Sequence, residues 1–256
     1  MTEPAPTRRR FLTLATGTTL GAAALTACAS HDEPVAKSGS TQTPGAAEPA
    51  GGGGGPAVEP PITTGEQALQ RLREGNARFV SNQVGHADEG IERRVAVSQA
   101  QHPFATVLGC VDSRVPVELV FDRGLGDLVV VRSAGEVLDH SVTGSLEFGV
   151  AELGTPLLLV LGHQRCGAVG ATIKSLDARQ PEAEGDIDYL VGALRPAVEQ
   201  VTGHPGDRLT NAIHANVDLV LAQLRKSTVI GPLEKSGKLK LAGAYYELDT
   251  GKVLIS

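Results

Sequence analysis

Three short apolar runs stand out along the chain: Phe104 to Gly109, Leu128 to Arg132 and Leu157 to Gly162. Each is rich in Val and Leu without polar alternation, and each closes on small or polar residues. Such runs suit strands buried on both faces of a parallel sheet, since a half-exposed strand would alternate. Around them the apolar residues return at helical spacing. Leu69, Leu72, Phe79 and Val80 read as one helix, with Thr64 in the N-cap position. Further helices are expected over 116–121, 141–153, 190–201 and 209–224. The segments 239–248 and 252–255 flank Asp249-Thr250-Gly251, which predicts a C-terminal hairpin. Strands alternating with helices give an α/β fold: a central, mostly parallel sheet with flanking helices and a C-terminal antiparallel hairpin.

The first 61 residues follow no such pattern. Arg8-Arg9-Arg10 precedes Phe11-Leu12 and a mildly apolar stretch to Leu25, too short and too rich in Thr and Gly for a spanning helix. Thr7-Arg8-Arg9-Arg10-Phe11-Leu12 resembles a twin-arginine export signal. Leu25-Thr26-Ala27-Cys28 resembles a bacterial lipobox, in which the cysteine is lipidated after cleavage. A simple secretory cleavage after Ala29, or a cytosolic helix with a stray cysteine, are the other readings. Segment 28–61 holds five consecutive glycines, Gly51 to Gly55, and almost no large apolar residue. It cannot bury enough surface to offset its ordering entropy, so a flexible tether is expected. The expected organisation is therefore a signal segment at 1–27, a tether at 28–61 and a folded domain at 62–256. The expected location is outside the cytoplasm of a bacterium, touching the membrane through the lipid on Cys28 only.

Composition narrows the classes. The 256 residues are 41% hydrophobic but only 3% aromatic, with no Trp, so the core is packed from aliphatic side chains. A net charge of -6 argues against a nucleic-acid partner, which needs a clustered basic surface. Three cysteines are too few for a disulfide framework.

The ends of the strand runs carry the chemistry. The first closes on Cys110-Val111-Asp112-Ser113-Arg114, and the third on His163-Gln164-Arg165-Cys166-Gly167. In a parallel sheet these ends lie on the side where ligands bind. Two thiols and an imidazole delivered there suit zinc, which favours tetrahedral sites and, in catalysis, three protein ligands with one open position. Taken singly, each feature has a plainer explanation. A buried Cys is often a small apolar residue, Asp112 and Arg114 could be a loop ion pair, and Cys110 and Cys166 could pair as a disulfide in an exported protein. The conjunction of both motifs at strand ends favours the metal.

Cys110-x-Asp112-x-Arg114 followed by His163-x-x-Cys166 resembles the signature of the β-class carbonic anhydrases. The resemblance runs from about residue 65 to the C-terminus. It includes Glu74-Gly75-Asn76-x-Arg78-Phe79, Asp122-x-Gly124-x-Gly126-Asp127 and Tyr245-Tyr246. It implies Zn2+ held by Cys110, His163 and Cys166, with water or hydroxide in the fourth position. Zinc-bound hydroxide would then convert carbon dioxide to bicarbonate and a proton. It implies that Asp112 orients that hydroxide while Arg114 keeps Asp112 ionised and off the metal. Gln101 and Gly167 would be substrate-binding residues, Gln101 as the donor to the substrate oxygen. It also implies a homodimer or tetramer with clefts built from two subunits. Carbonyl sulfide or carbon disulfide hydrolysis on the same scaffold is an alternative, as is a surface lipoprotein that binds zinc without turnover. Many members carry Arg-Asn-Ala after the second strand, where this chain has Arg132-Ser133-Ala134-Gly135-Glu136. Some members close their site in acid, aided by a bicarbonate pocket containing Trp. Without Trp, an open resting site is expected at neutral pH, with Asp112 paired to Arg114.

Overall fold

The computed structural model describes residues 61–86, 88–178 and 185–256. The signal segment, Cys28 and all but the last residue of the expected tether lie outside them. Five strands form one sheet in the order β2-β1-β3-β4-β5. Strands β1 (Ala105–Gly109), β2 (Leu128–Arg132), β3 (Leu157–His163) and β4 (Lys240–Tyr246) are parallel, and β5 (Val253–Ile255) pairs antiparallel with β4. The sheet has the parallel core and terminal hairpin that the sequence pattern predicts.

The central strand β3 is buried along its whole length, and its two faces feed two cores. Leu157, Leu159 and Leu161 pack with Leu69, Leu72 and Phe121 on one side. Leu158 and Val160 pack with Leu146, Val220 and Leu224 on the other. That double burial is why β3 reads as an unbroken apolar run. Strand β2 departs from the expectation. At the sheet edge, Leu128–Val131 are only half-buried and Arg132 is exposed.

Among the described residues, eight helices accompany the sheet: α1 (Gly65–Val80), α2 (Ile91–Ala96), α3 (Val117–Val120), α4 (His140–Glu147), α5 (Gly167–Ala178), α6 (Asp186–Gln200), α7 (Arg208–Leu224) and α8 (Ile230–Lys235). Helix α1 starts at a capping box in which the Thr64 hydroxyl accepts from the Gln67 N–H. The motif residues in α1 dock the helix. Asn76 donates to the carbonyls of Val120 (3.1 Å) and Gly251 (2.8 Å) and accepts from the Val253 N–H. Gly75 lies so close to α3 that an added Cβ would sit 1.8 Å from the Phe121 carbonyl oxygen. Arg78 pairs with Asp122. The single helix expected over 141–153 is instead α4 followed by a wider π-type turn, Phe148–Glu152. There Thr155 captures the Gly149 carbonyl with both its hydroxyl and its N–H, so the regular ladder does not continue.

Candidate metal centre

The register brings the two motifs together. Gly109 on β1 stands beside Leu161 on β3, so Cys110 and His163 emerge from neighbouring strand ends. After His163 the chain turns through Gln164 and Arg165, the latter at φ +56, and enters α5 just past Cys166. Cys110, His163 and Cys166 are all buried, and their ligand atoms lie within 4.8 Å of one another. Both cysteines are free thiols, so the disulfide reading does not apply.

The donor set fits zinc. The His163 Nδ1–H donates to the Gln164 carbonyl at 3.0 Å, which fixes the tautomer and leaves a bare lone pair on Nε2. That Nε2 is buried and has no hydrogen-bond partner among the described residues. A buried polar nitrogen left unsatisfied beside two thiols is what a metal ligand looks like without its ion. The Cys110 sulfur sits below the ordinary thiol range. A hydrogen bond from Cys166 contributes most, opposed by burial and aided by His163 and the N–H groups of Gly135 and Asp112. Cys166, the other half of that pair, is pushed up by the shared bond and by its burial. The Gly135 N–H donates to Cys110 Sγ at 3.4 Å.

Asp112 adjoins this cluster, its Oδ2 3.9 Å from His163 Nε2. Arg114 grips it from the other side. Its N–H and Nε donate to Oδ1 at 2.9 Å, and its Nη2 donates to Oδ2 at 2.8 Å. These bonds hold the Asp112 carboxyl well below the usual carboxylate range despite partial burial. Arg114 Nη2 also reaches the Arg165 carbonyl at 3.5 Å. Arg132 braces the loop from below, donating to the carbonyls of Cys110 (2.7 Å) and Asp112 (2.6 Å).

Two expected substrate residues stand apart from one another. Gly167 opens α5 directly after Cys166 and is exposed, with nothing within 4 Å of an added Cβ. Gln101 is exposed in the loop before β1, at the opposite end of that strand from Cys110. The chain does not bring it to its own cluster. Several supporting residues went unread in the sequence. Arg132 was visible only as part of an altered loop. Gln164, Arg165 and Asp249 interlock across the two turns, and Glu136 and Asn216 meet beneath Cys110. None of these pairs carries a local sequence signal. Among the other histidines, His214 stacks on Tyr245 at 4.5 Å.

Comparison with known proteins bears on this arrangement. A sequence model of the family described as "Carbonic anhydrase" matches residues 105–253, which span β1 to the start of β5 and contain the whole cluster. A protein named carbonic anhydrase from Mycolicibacterium smegmatis is 43% identical over 194 residues, covering 73% of this chain and 90% of its own. The solved structure of the beta-carbonic anhydrase CcaA is 27% identical, with a TM-score of 0.59 over 74% of this chain and 87% of that one. One of two tetrameric beta-carbonic anhydrases from Sordaria macrospora shares the fold at the same TM-score and 20% identity, over 74% of this chain and 95% of that one. The match thus covers the folded domain, on a sheet of the same kind: the chain belongs to the carbonic anhydrase family, in its β class.

Proposed function

We propose that the protein hydrates carbon dioxide reversibly to bicarbonate and a proton, using zinc held by Cys110, His163 and Cys166. The observation that carries this reading is the unsatisfied, buried Nε2 of His163 facing two free thiols, with an ionised Asp112 beside it. Bound there, zinc supplies a coordinated water acidic enough to serve as nucleophile near neutral pH.

The chain's own residues prepare that chemistry. The Gln164 carbonyl accepts a hydrogen bond from the His163 Nδ1–H, so that the imidazole presents the lone pair of Nε2. Asp112 is an acceptor-only carboxylate, because Arg114 keeps it ionised. It would accept a hydrogen bond from the nucleophile that a bound zinc supplies, and so orient that nucleophile toward the substrate carbon. Both Asp112 oxygens already serve Arg114, which restrains the carboxylate from swinging onto the metal. A zinc-binding protein without turnover would have no use for this dyad. Gln101 serves the site of a second copy, as a cleft built from two subunits requires. The working form is therefore a homodimer or tetramer, exported and anchored through Cys28.

Stopped-flow hydration by the full chain, with zinc counted in the same sample, tests the reading. Stoichiometric zinc and turnover that vanish together in Cys110→Ser and His163→Ala are expected. Zinc-loaded protein that leaves carbon dioxide untouched would overturn it, and turnover of carbonyl sulfide in that sample would identify the alternative hydrolase.

A further inference from the structure

Glu136 is a carboxyl in an unusual place. It is 1% exposed, its backbone has φ +55, and its Oε1 has no hydrogen-bond partner among the described residues. A left-handed conformation is unfavourable for a non-glycine residue, and a buried oxygen without a partner is more so. Neighbouring contacts show what the position achieves. Asn216, on α7, donates through one amide nitrogen to both the Gly135 carbonyl (2.8 Å) and Glu136 Oε2 (3.4 Å). A single side chain thus holds the main chain and the side chain of the turn between Ser133 and Val137. Gly135, at φ +63, packs so that an added Cβ would lie 2.9 Å from Leu194. The turn is fixed from α6 and α7 together, and its Gly135 N–H points at Cys110 Sγ.

We propose that Glu136 is a positioning residue which, with Asn216, holds the Gly135 N–H on the sulfur of Cys110. This inference rests on the zinc reading above and deepens it. An N–H donor withdraws charge from a thiolate. A site with two thiolates neutralises much of the zinc charge, and reducing the donation of one of them restores acidity to the bound water. Glutamine keeps the shape of the Glu136 side chain and an acceptor oxygen for Asn216.

The experiment loads the full chain with zinc, measured by chelator competition, and separately with cobalt(II), whose thiolate charge-transfer band reports the sulfur donors. Glu136→Gly removes the side chain while keeping the left-handed backbone free of strain. It is expected to lose roughly tenfold in zinc affinity, because the Cys110 sulfur is no longer held in place, and to move the band to lower energy, because a thiolate without its N–H donor is more electron-rich. Glu136→Gln is expected to restore both. A residue that only supports the fold would lower the melting temperature and leave the band in place. An unmoved band in Glu136→Gly, or the same shift in Glu136→Gln, would overturn the inference. Should Glu136→Gly yield no folded protein, Asn216→Ser removes the same support from α7 and is read in the same way. A wild-type chain that takes up neither metal would overturn the zinc reading itself. Loaded wild type with an unmoved variant band overturns this inference alone.

Discussion

Asp112 has both carboxylate oxygens committed to Arg114 and one of them 3.9 Å from Nε2 of His163. Its value lies in being an acceptor and nothing else. Asp112→Asn preserves the shape but puts an NH2 donor on one side of the acceptor, so zinc content should hold while turnover falls by roughly 10- to 100-fold. Arg114→Ala should act similarly by freeing the carboxylate. Stopped-flow rates alongside metal analysis check both, and normal turnover in both would reduce the dyad to an ion pair. The acid behaviour follows from the same contacts. A carboxyl whose folded pKa is depressed stabilises the protein above its unfolded pKa and loses that contribution as pH falls through the folded value. For Asp112 the loss therefore begins only below its ordinary value of 3.8. Activity lost between about pH 8 and pH 5 arises at the nucleophile, with a slope of a single proton. A pH–rate profile steeper than that would point to a cooperative closure that the Arg114-bound Asp112 does not predict.

At the scale of elements, the turn after β3 is held by the turn between β4 and β5. The Gln164 N–H donates to the Tyr246 carbonyl, and its side-chain amide exchanges hydrogen bonds with Asp249. Arg165 closes on both Asp249 oxygens at 2.8 and 2.7 Å. The residues between two candidate ligands are thus tied to the hairpin. Arg165 and Gln164 hold the Asp249 carboxyl down at about 2, so the clamp is whole above pH 3.8 and opens as pH falls toward that lower value. The groups are exposed, so Asp249→Ala should hardly move the melting temperature. It should still weaken zinc by roughly tenfold, by freeing the turn that fixes His163. An unchanged zinc affinity by chelator competition would show that the clamp is only a surface pair. Gly75→Ala tests packing instead. With 1.8 Å between the new Cβ and the Phe121 carbonyl oxygen, α1 must shift, and a loss of about 1–3 kcal/mol is expected in denaturant melts. These contacts also mark what the sequence could and could not reveal. The strands and the clustering of Cys110, His163 and Cys166 are legible because their signals are local: an apolar run, then a metal-type residue at its end. Asp249–Arg165 and Asn216–Glu136 join residues 84 and 80 apart, and no spacing rule links them. Helix α2 buries no residue and so carries no apolar stripe by which a sequence pattern would mark it. The helix over 141–153 was foreseen as regular because nothing local announces that Thr155 captures the Gly149 carbonyl.

At the scale of the whole molecule, the site gathers residues far apart in the chain. Cys110 comes from the end of β1, and His163 and Cys166 from the end of β3, so the three donors meet only once the sheet has formed. Metal loading therefore belongs after folding. An export route that carries folded proteins, which we propose from the resemblance of Thr7 to Leu12 to a twin-arginine signal, would let the chain load a metal before crossing a membrane. Two variants separate these steps. Cys28→Ala should leave zinc content and hydration unchanged and move the protein from the membrane fraction to the soluble exported fraction. Replacing Arg8, Arg9 and Arg10 together by Lys should retain folded, zinc-loaded protein inside the cell. Fractionation with metal analysis on each fraction reads both outcomes. Membrane attachment that survives Cys28→Ala would sink the lipobox reading. Normal export of the triple Lys variant would show that the chain crosses by a route that does not read the arginines, and that zinc is acquired outside.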